Sequence, residues 1–290
     1  MASLAVDLGG TRMRAARVSD EGEILFREVV PTPRGDARPD ALVALMTRVG
    51  VGVDRAVVGV PGRVNHGEGT LDHAPNLPPT WAPFLSEKAL GETLGVPVHL
   101  ANDADMAAVG EAYFGAGAGY EDIVYVTLST GVGAGVLLRR KLLRGRRSLA
   151  EVGHTVIDLS ASLRGLPCTF EQLASGTGVA RTAAWFGEPA DAATIVERAA
   201  AGDPRAVKAL ESAIDAACVG VRNLAYTFSP EVIIIGGGFG LVGERLWAPI
   251  RAYLALNGPP GLPTPIVVTG AKLGDTAGLV GAAAWAQAIA

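Results

Sequence analysis

Short apolar runs punctuated by glycine open the chain. Leu4–Leu8, Met13–Val18 and Glu23–Val30 are strand-length, joined by tight connections, and predict three consecutive strands in a meander. Helical spacing predicts a helix over Asp40–Val49, and Arg55–Val60 is a continuous apolar run ended by Pro61-Gly62, the pattern of a buried strand. Trp81–Leu94 reads as a helix stopped at Gly95, Val96–Leu100 as a strand, and Ala104 to about Phe114 as a helix introduced by Asn102-Asp103. Then the opening pattern returns. Asp122–Leu128 predicts a strand, Ser129-Thr130-Gly131-Val132-Gly133 a glycine turn, and Ala134–Leu138 a second strand leading to a third beyond a basic turn. Two meanders, each with a Gly/Thr turn between its first two strands, indicate internal duplication of one structural unit.

The remainder is mostly helical. Helices are expected at Phe170–Phe186, Asp191–Ala200 and Pro204 to about Phe228, then a strand at Glu231–Ile235 that runs into Gly236-Gly237-Gly238. A strand at Pro265–Thr269 and a helix from Thr276 complete an α/β pattern. No linker or charge block marks a border, so the duplication sets it near Asp103–Ala104. Residues 1–103 then form a small N-terminal lobe and 104–275 a large one.

Composition narrows the function. With 290 residues, 49% hydrophobic and 19% charged, the chain is long enough for two domains and too apolar to be disordered. A net charge of −4 argues against nucleic-acid or anionic-membrane partners, which need a basic face. The longest apolar stretch, Gly278–Ala290, is too short to span a bilayer, and the first residues lack a basic signal region, so the expected location is cytoplasmic. Cys168 and Cys218 are too few for a disulfide framework. The one basic run, Arg139–Arg147, reads as a solvated hairpin rim before it reads as an anion-attracting lip.

Glycine turns let backbone N–H groups approach a ligand, and phosphate is the natural guest. In the first turn Gly9 and Gly10 give access, Thr11 offers a hydroxyl, and Asp7 could hold Mg²⁺ directly or through water. In the second, Thr130, Gly131 and Gly133 repeat the arrangement without an acid. One such turn is most often only a hairpin. Two of them facing each other would clamp the β- and γ-phosphates of ATP. Gly236, Gly237 and Gly238 fit a dinucleotide fingerprint poorly and a platform beneath adenine or ribose better, against an equal chance of a plain sharp turn. Asp103 suits a helix N-cap, a role Asp105 could also fill. It also stands where a strand's carboxyl end would open into an interdomain crevice, where a carboxylate can take the proton of a sugar hydroxyl attacking ATP. Glu151-Val152-Gly153-His154 and Glu171 form a second polar cluster suited to hydroxyl recognition.

Taken in order, these motifs resemble the repressor, open reading frame, kinase (ROK) family of sugar kinases, within the actin and hexokinase superfamily. Asp7-Leu8-Gly9-Gly10-Thr11 is similar to its first phosphate motif and Thr127–Gly135 to its second. Val60-Pro61-Gly62 and Ala74-Pro75-Asn76-Leu77 are similar to its sugar-side loops, and Asn102-Asp103-Ala104 to its catalytic segment. Glu151-Val152-Gly153-His154, Gly236-Gly237-Gly238 and Ala277–Ala283 resemble its sugar motif, its adenosine-contacting glycines and its closing helix. The resemblance implies an RNase-H-like fold in each of two lobes closing on an active-site cleft, with helix 276–290 joined to the first lobe. It implies Asp103 as general base, and Gly62, Arg63, Asn76, Asn102, Glu151, His154 and Glu171 on the sugar. The implied reaction is transfer from MgATP to the 6-hydroxyl of a hexose, glucose first, by a homodimer or homotetramer.

Three departures qualify this. Many members carry a cysteine zinc loop, whose three thiol positions here are Ser162, Arg164 and Thr169, while Cys168 falls where the family has glycine. Structural zinc is therefore not expected, and His154 needs another means of orientation. Ser129 replaces a commoner glycine. Arg63 after Gly62 resembles the amino-sugar kinases, which keeps an N-acetylhexosamine or other hexose kinase as the alternative. A non-catalytic sugar-binding regulator is the rival from another class, and an NAD-dependent oxidoreductase the weakest.

Overall fold

The computed structural model describes residues 1–33, 39–74, 77–262 and 264–290. By its contacts the chain falls into two compact units, one of residues 1–118, 135–149 and 275–290, the other of 119–134 and 150–274.

The first unit begins with the expected meander, β1 (Ala2–Leu8), β2 (Arg12–Ser19) and β3 (Ile24–Pro31), followed by α1 (Asp40–Val49) and β4 (Arg55–Val60). A short hairpin, β5 (Arg63–Asn65) and β6 (Thr70–His73), precedes α2 (Glu87–Leu94), β7 (Val98–Asn102) and α3 (Asp103–Phe114). The strand order is β3-β2-β1-β4-β7, antiparallel through the meander and parallel from β1 to β4 to β7. Leu4, Val6 and Leu8 of β1 are fully buried with Val58 of β4 and with Leu42, Leu45 and Met46 of α1. That burial explains why these strands read as apolar runs.

The chain continues through β8 (Ile123–Leu128), β9 (Val132–Leu138) and β10 (Lys141–Leu142) to α4 (Leu159–Leu163), α5 (Phe170–Ala174), α6 (Gly176–Trp185) and α7 (Ala192–Ala200). Then come α8 (Pro204–Phe228), β11 (Val232–Gly236), α9 (Glu244–Asn257), β12 (Val267–Gly270) and α10 (Ala277–Ile289). The second sheet runs β10-β9-β8-β11-β12, so both five-stranded sheets share one order: third, second, first, fourth and fifth strand. The duplication seen in the sequence is thus a duplication of topology.

Several elements differ from expectation. The helix expected over Trp81–Leu94 begins only at Glu87, because Ser86 caps it by accepting the Ala89 N–H. The helix expected over Phe170–Phe186 breaks at Ser175, which ends α5 and starts α6 with its Oγ accepting the Gly178 N–H. The β5–β6 hairpin, α4 and α9 were not anticipated. Contacts also draw a different border from Asp103–Ala104. α3 lies in the first unit because it packs tightly on α10: a Cβ on Gly110 would overlap the Ala277 carbonyl, and one on Gly281 the Met106 carbonyl.

The basic run is tied into the first unit. Arg139 and Arg140 form the β9–β10 loop with φ of 50° and 61°, a conformation usually left to Asn and Gly. The Arg140 guanidinium donates to the Ala112 carbonyl at 3.1 Å and lies 4.5 Å over the Tyr113 ring, whose hydroxyl donates to the Arg140 carbonyl. Arg147 pairs with Asp72, a hydrogen bond that holds the Asp72 carboxyl below its usual range. Among the described residues no helix is long and apolar enough to cross a membrane.

Candidate functional site

In the first unit the predicted residues gather at one end of the parallel strands. Asp7 pairs in register with Gly59, and Val60 with Asn102, so β1, β4 and β7 present Asp7, Val60 and Asn102 near their carboxyl ends. That is where open α/β sheets hold ligands. The β1–β2 turn closes on the Gly9 N–H donating to the Arg12 carbonyl at 3.0 Å, and Thr32 Oγ1 donates back to the Gly9 carbonyl at 2.6 Å. Gly10 and Thr11 stand exposed at the tip. Asp7 accepts from Arg14 at 3.1 Å, yet burial outweighs that cation and pushes its carboxyl above the ordinary range. A desolvated carboxylate at a phosphate-sized turn suits a further cation.

Asn102, not Asp103 or Asp105, is the N-cap of α3. Its Oδ1 accepts the Ala104 N–H at 2.9 Å, and its Nδ2 donates to the Gly62 carbonyl at 3.0 Å, which commits one of the amide's two N–H donors. Asp105 is buried. With the cap supplied by its neighbour, Asp103 sits in the first turn of α3, where the helix terminus favours negative charge, and its Oδ1 also accepts the Ala104 N–H at 2.9 Å. Gly62 is required by packing, since a Cβ there would overlap the His73 carbonyl. Arg63 is exposed on β5. Asn76 lies outside the described residues.

The second unit holds the other turn. Ser129 donates to the Gly131 carbonyl at 2.9 Å, and the turn is gripped by the α5–α6 pair: the Gly176 N–H donates to the Ser129 carbonyl and Thr177 Oγ1 to the Thr130 carbonyl, both at 2.7 Å. Gly133 lies within β9. Beside the turn opens a cavity of about 640 Å³, within the range of cofactor-sized pockets. Ser129, Thr130 and Thr177 line it with polar groups on the side of the turn, Asp191 and Glu197 add two carboxyls from α7 and its start, and Ala180, Val196 and Phe239 form part of its apolar wall. Of the glycine platform, Gly238 borders this space with nothing within reach of a Cβ. Gly236 and Gly237 are also required by packing. A Cβ on Gly236 would strike the Tyr125 hydroxyl, and Gly237 has φ +82° and a Cβ there would overlap the Leu128 carbonyl.

Glu171 is placed on that same turn, its Oε2 accepting the Val132 N–H at 2.9 Å. His154 is exposed, with the Glu151 carboxylate 3.9 Å from its Nε2. The segment between them is closed by hydrogen bonds: Ile157 N–H to the Cys168 carbonyl, Phe170 N–H to the Thr155 carbonyl, and the Gln172 Oε1 accepting from Cys168 and Thr169. Among the described residues no group of three or more His, Cys, Asp or Glu is placed to hold a metal ion. Sequence reasoning missed the α6 wall of the cavity. The available signal was Ser175-Gly176-Thr177-Gly178, a small polar cluster inside an apolar pattern.

The ROK family profile matches residues 3–289. The chain is 31% identical to a glucokinase of Thermotoga maritima over 303 aligned positions, 97% of this chain and 95% of that protein. It is 34% identical over 291 positions to an N-acetylmannosamine kinase of Yersinia pseudotuberculosis, with 98% of each covered. A crystal structure of a ROK family glucokinase from Streptomyces griseus in complex with glucose and AMPPNP matches with a TM-score of 0.81 at 33% identity, covering 98% of this chain and 99% of that one.

Proposed function

Because the chain belongs to the ROK family, we propose that it is an ATP-dependent hexose kinase, moving the γ-phosphoryl group of ATP to the 6-hydroxyl of a hexose, with glucose as the first substrate. Its α/β fold is of the actin and hexokinase type. The observation that carries the reading is the cavity flanked by the second glycine turn and Gly238, a nucleotide-sized space whose polar wall adjoins a phosphate-type turn and whose apolar wall suits a base.

In this reading Asp103 takes the 6-hydroxyl proton as that oxygen attacks the γ-phosphorus, a step worth about 10²–10⁴ in rate. Positioning and charge stabilisation by the turns supply the rest. Asn102 orients the sugar with its remaining N–H, alongside Glu151, His154 and Glu171. Asp7 is the residue that would hold Mg²⁺, and the partial desolvation of its carboxyl supports that role. When bound, the ion neutralises charge on the phosphates. The amino-sugar alternative draws on Arg63 and on the N-acetylmannosamine kinase likeness.

Coupled ADP release with saturating MgATP across glucose, mannose, N-acetylmannosamine and N-acetylglucosamine tests the reading. Glucose is expected to give the highest kcat/KM. Preference for an N-acetylated sugar moves the assignment to the alternative. Sugar-induced thermal stabilisation without ADP release would replace the kinase by a regulator.

A further inference from the structure

The acid assigned to the sugar is built into the phosphate turn. Glu171 Oε2 accepts the N–H of Val132, the residue that follows the turn's Gly131, at 2.9 Å. Gly131 must be glycine for that contact, since a Cβ would overlap the same carboxylate oxygen. Gly153 of the sugar motif is constrained from the same side: a Cβ there would overlap the Val132 carbonyl and come within 3.2 Å of the Glu171 Cβ. On the other flank Gly176 and Thr177 hold the Ser129 and Thr130 carbonyls. The three hydrogen-bonding anchors, Glu171, Gly176 and Thr177, come from the continuous segment 171–177, held by buried Ser175, which caps both helices. The turn's own Ser129–Gly131 bond fixes less by comparison, because one hydrogen bond stands against the conformational entropy of the three loop residues 129–131.

We infer that Glu171 is a positioning residue for the nucleotide as well as a ligand of the sugar: one carboxylate oxygen holds the phosphate turn in shape while the other receives a sugar hydroxyl. This rests on the kinase reading above and adds to it that nucleotide affinity depends on Glu171 even with no sugar present. A residue serving the sugar alone has no such effect. A charged acceptor is the strong form of this bond, so its loss is felt in the turn.

The test is calorimetric titration with ADP in the absence of sugar, paired with the hexose KM, for Glu171→Ala and Glu171→Gln. Alanine removes the acceptor, and sugar-free ADP affinity is expected to fall about tenfold. Glutamine keeps an oxygen that can accept the Val132 N–H, so ADP affinity stays within about threefold. Both variants are expected to raise the hexose KM. Glu171→Leu, of similar volume and without an acceptor, takes alanine's place if that variant fails to fold. Unchanged ADP affinity in the acceptor-free variant overturns the inference, as does an equal loss in Glu171→Gln. A native protein that binds ADP and phosphorylates no sugar would overturn the kinase reading instead, so the two failures are distinct.

Discussion

The two glycine turns occupy the same place in two sheets of the same strand order, yet they are held in different ways. The first is held within its own meander: its Gly9 N–H closes on the Arg12 carbonyl, Thr32 just past β3 ties back to the Gly9 and Thr11 carbonyls, and the strand before it carries a half-buried acid near its end. The second has no acid of its own and is braced from outside by Glu171, Gly176 and Thr177. Duplication thus preserved the turn and divided the chemistry. One copy carries a carboxylate suited to a cation, while the other borrows a carboxylate from a later helix and adjoins the cavity.

Substitutions can break this contrast. Within the two turns the largest effect belongs to Asp7→Asn, expected to lower kcat/KM for MgATP about 10–100-fold, as loss of a metal-supporting group does. Its stability effect runs the other way. Burial raises the folded carboxyl above the ordinary 3.8, so ionisation costs stability as pH climbs from that value through the folded one, and the full cost is present at neutral pH. Asp7→Asn should therefore raise Tm at pH 7 by on the order of 1–2 °C and lose the advantage below about pH 4, as a calorimetric pH series would show. An unchanged difference across that series would contradict the burial argument.

Gly131→Ala comes next. Its methyl group meets the end of the Glu171 side chain, which must swing away and give up the Val132 N–H, so ATP affinity should fall and stability drop by about 0.5–1.5 kcal/mol in denaturant melts. A neutral outcome would mean that Glu171 does not brace the second turn. The smallest structural effect is expected from Gly238→Ala, where a Cβ meets nothing: stability should stay within about 0.5 kcal/mol. A rise in the ATP KM without a change in Tm would then assign Gly238 to the nucleotide.

Much of this was legible in the chain. β1, β4, β8 and β11 are buried along most of their length, and burial writes itself as Val/Ile/Leu runs ended by Gly or Pro. α9 was not legible because Pro249 interrupts it and only Leu246 and Ile250 are buried, too few positions to set a helical period. The break at Ser175 was hidden because the apolar spacing on either side continues across it, although Ser175 is a good N-cap. Asp103 was readable as an acid at a strand end, but which residue capped α3 depended on side-chain rotamers at Asn102. Glu171 showed a suggestive acid in an apolar run. Its bond to Val132, 39 residues earlier, is a tertiary fact that no local pattern encodes.

The central claim is that Asp103 draws the proton from a sugar hydroxyl during transfer from ATP. Steady-state ADP release by Asp103→Asn, with glucose and MgATP both saturating and the glucose KM measured alongside, tests it directly. A fall in kcat of about 10²–10⁴ with the glucose KM within a few-fold of the native value is the predicted result. A near-native kcat would contradict it.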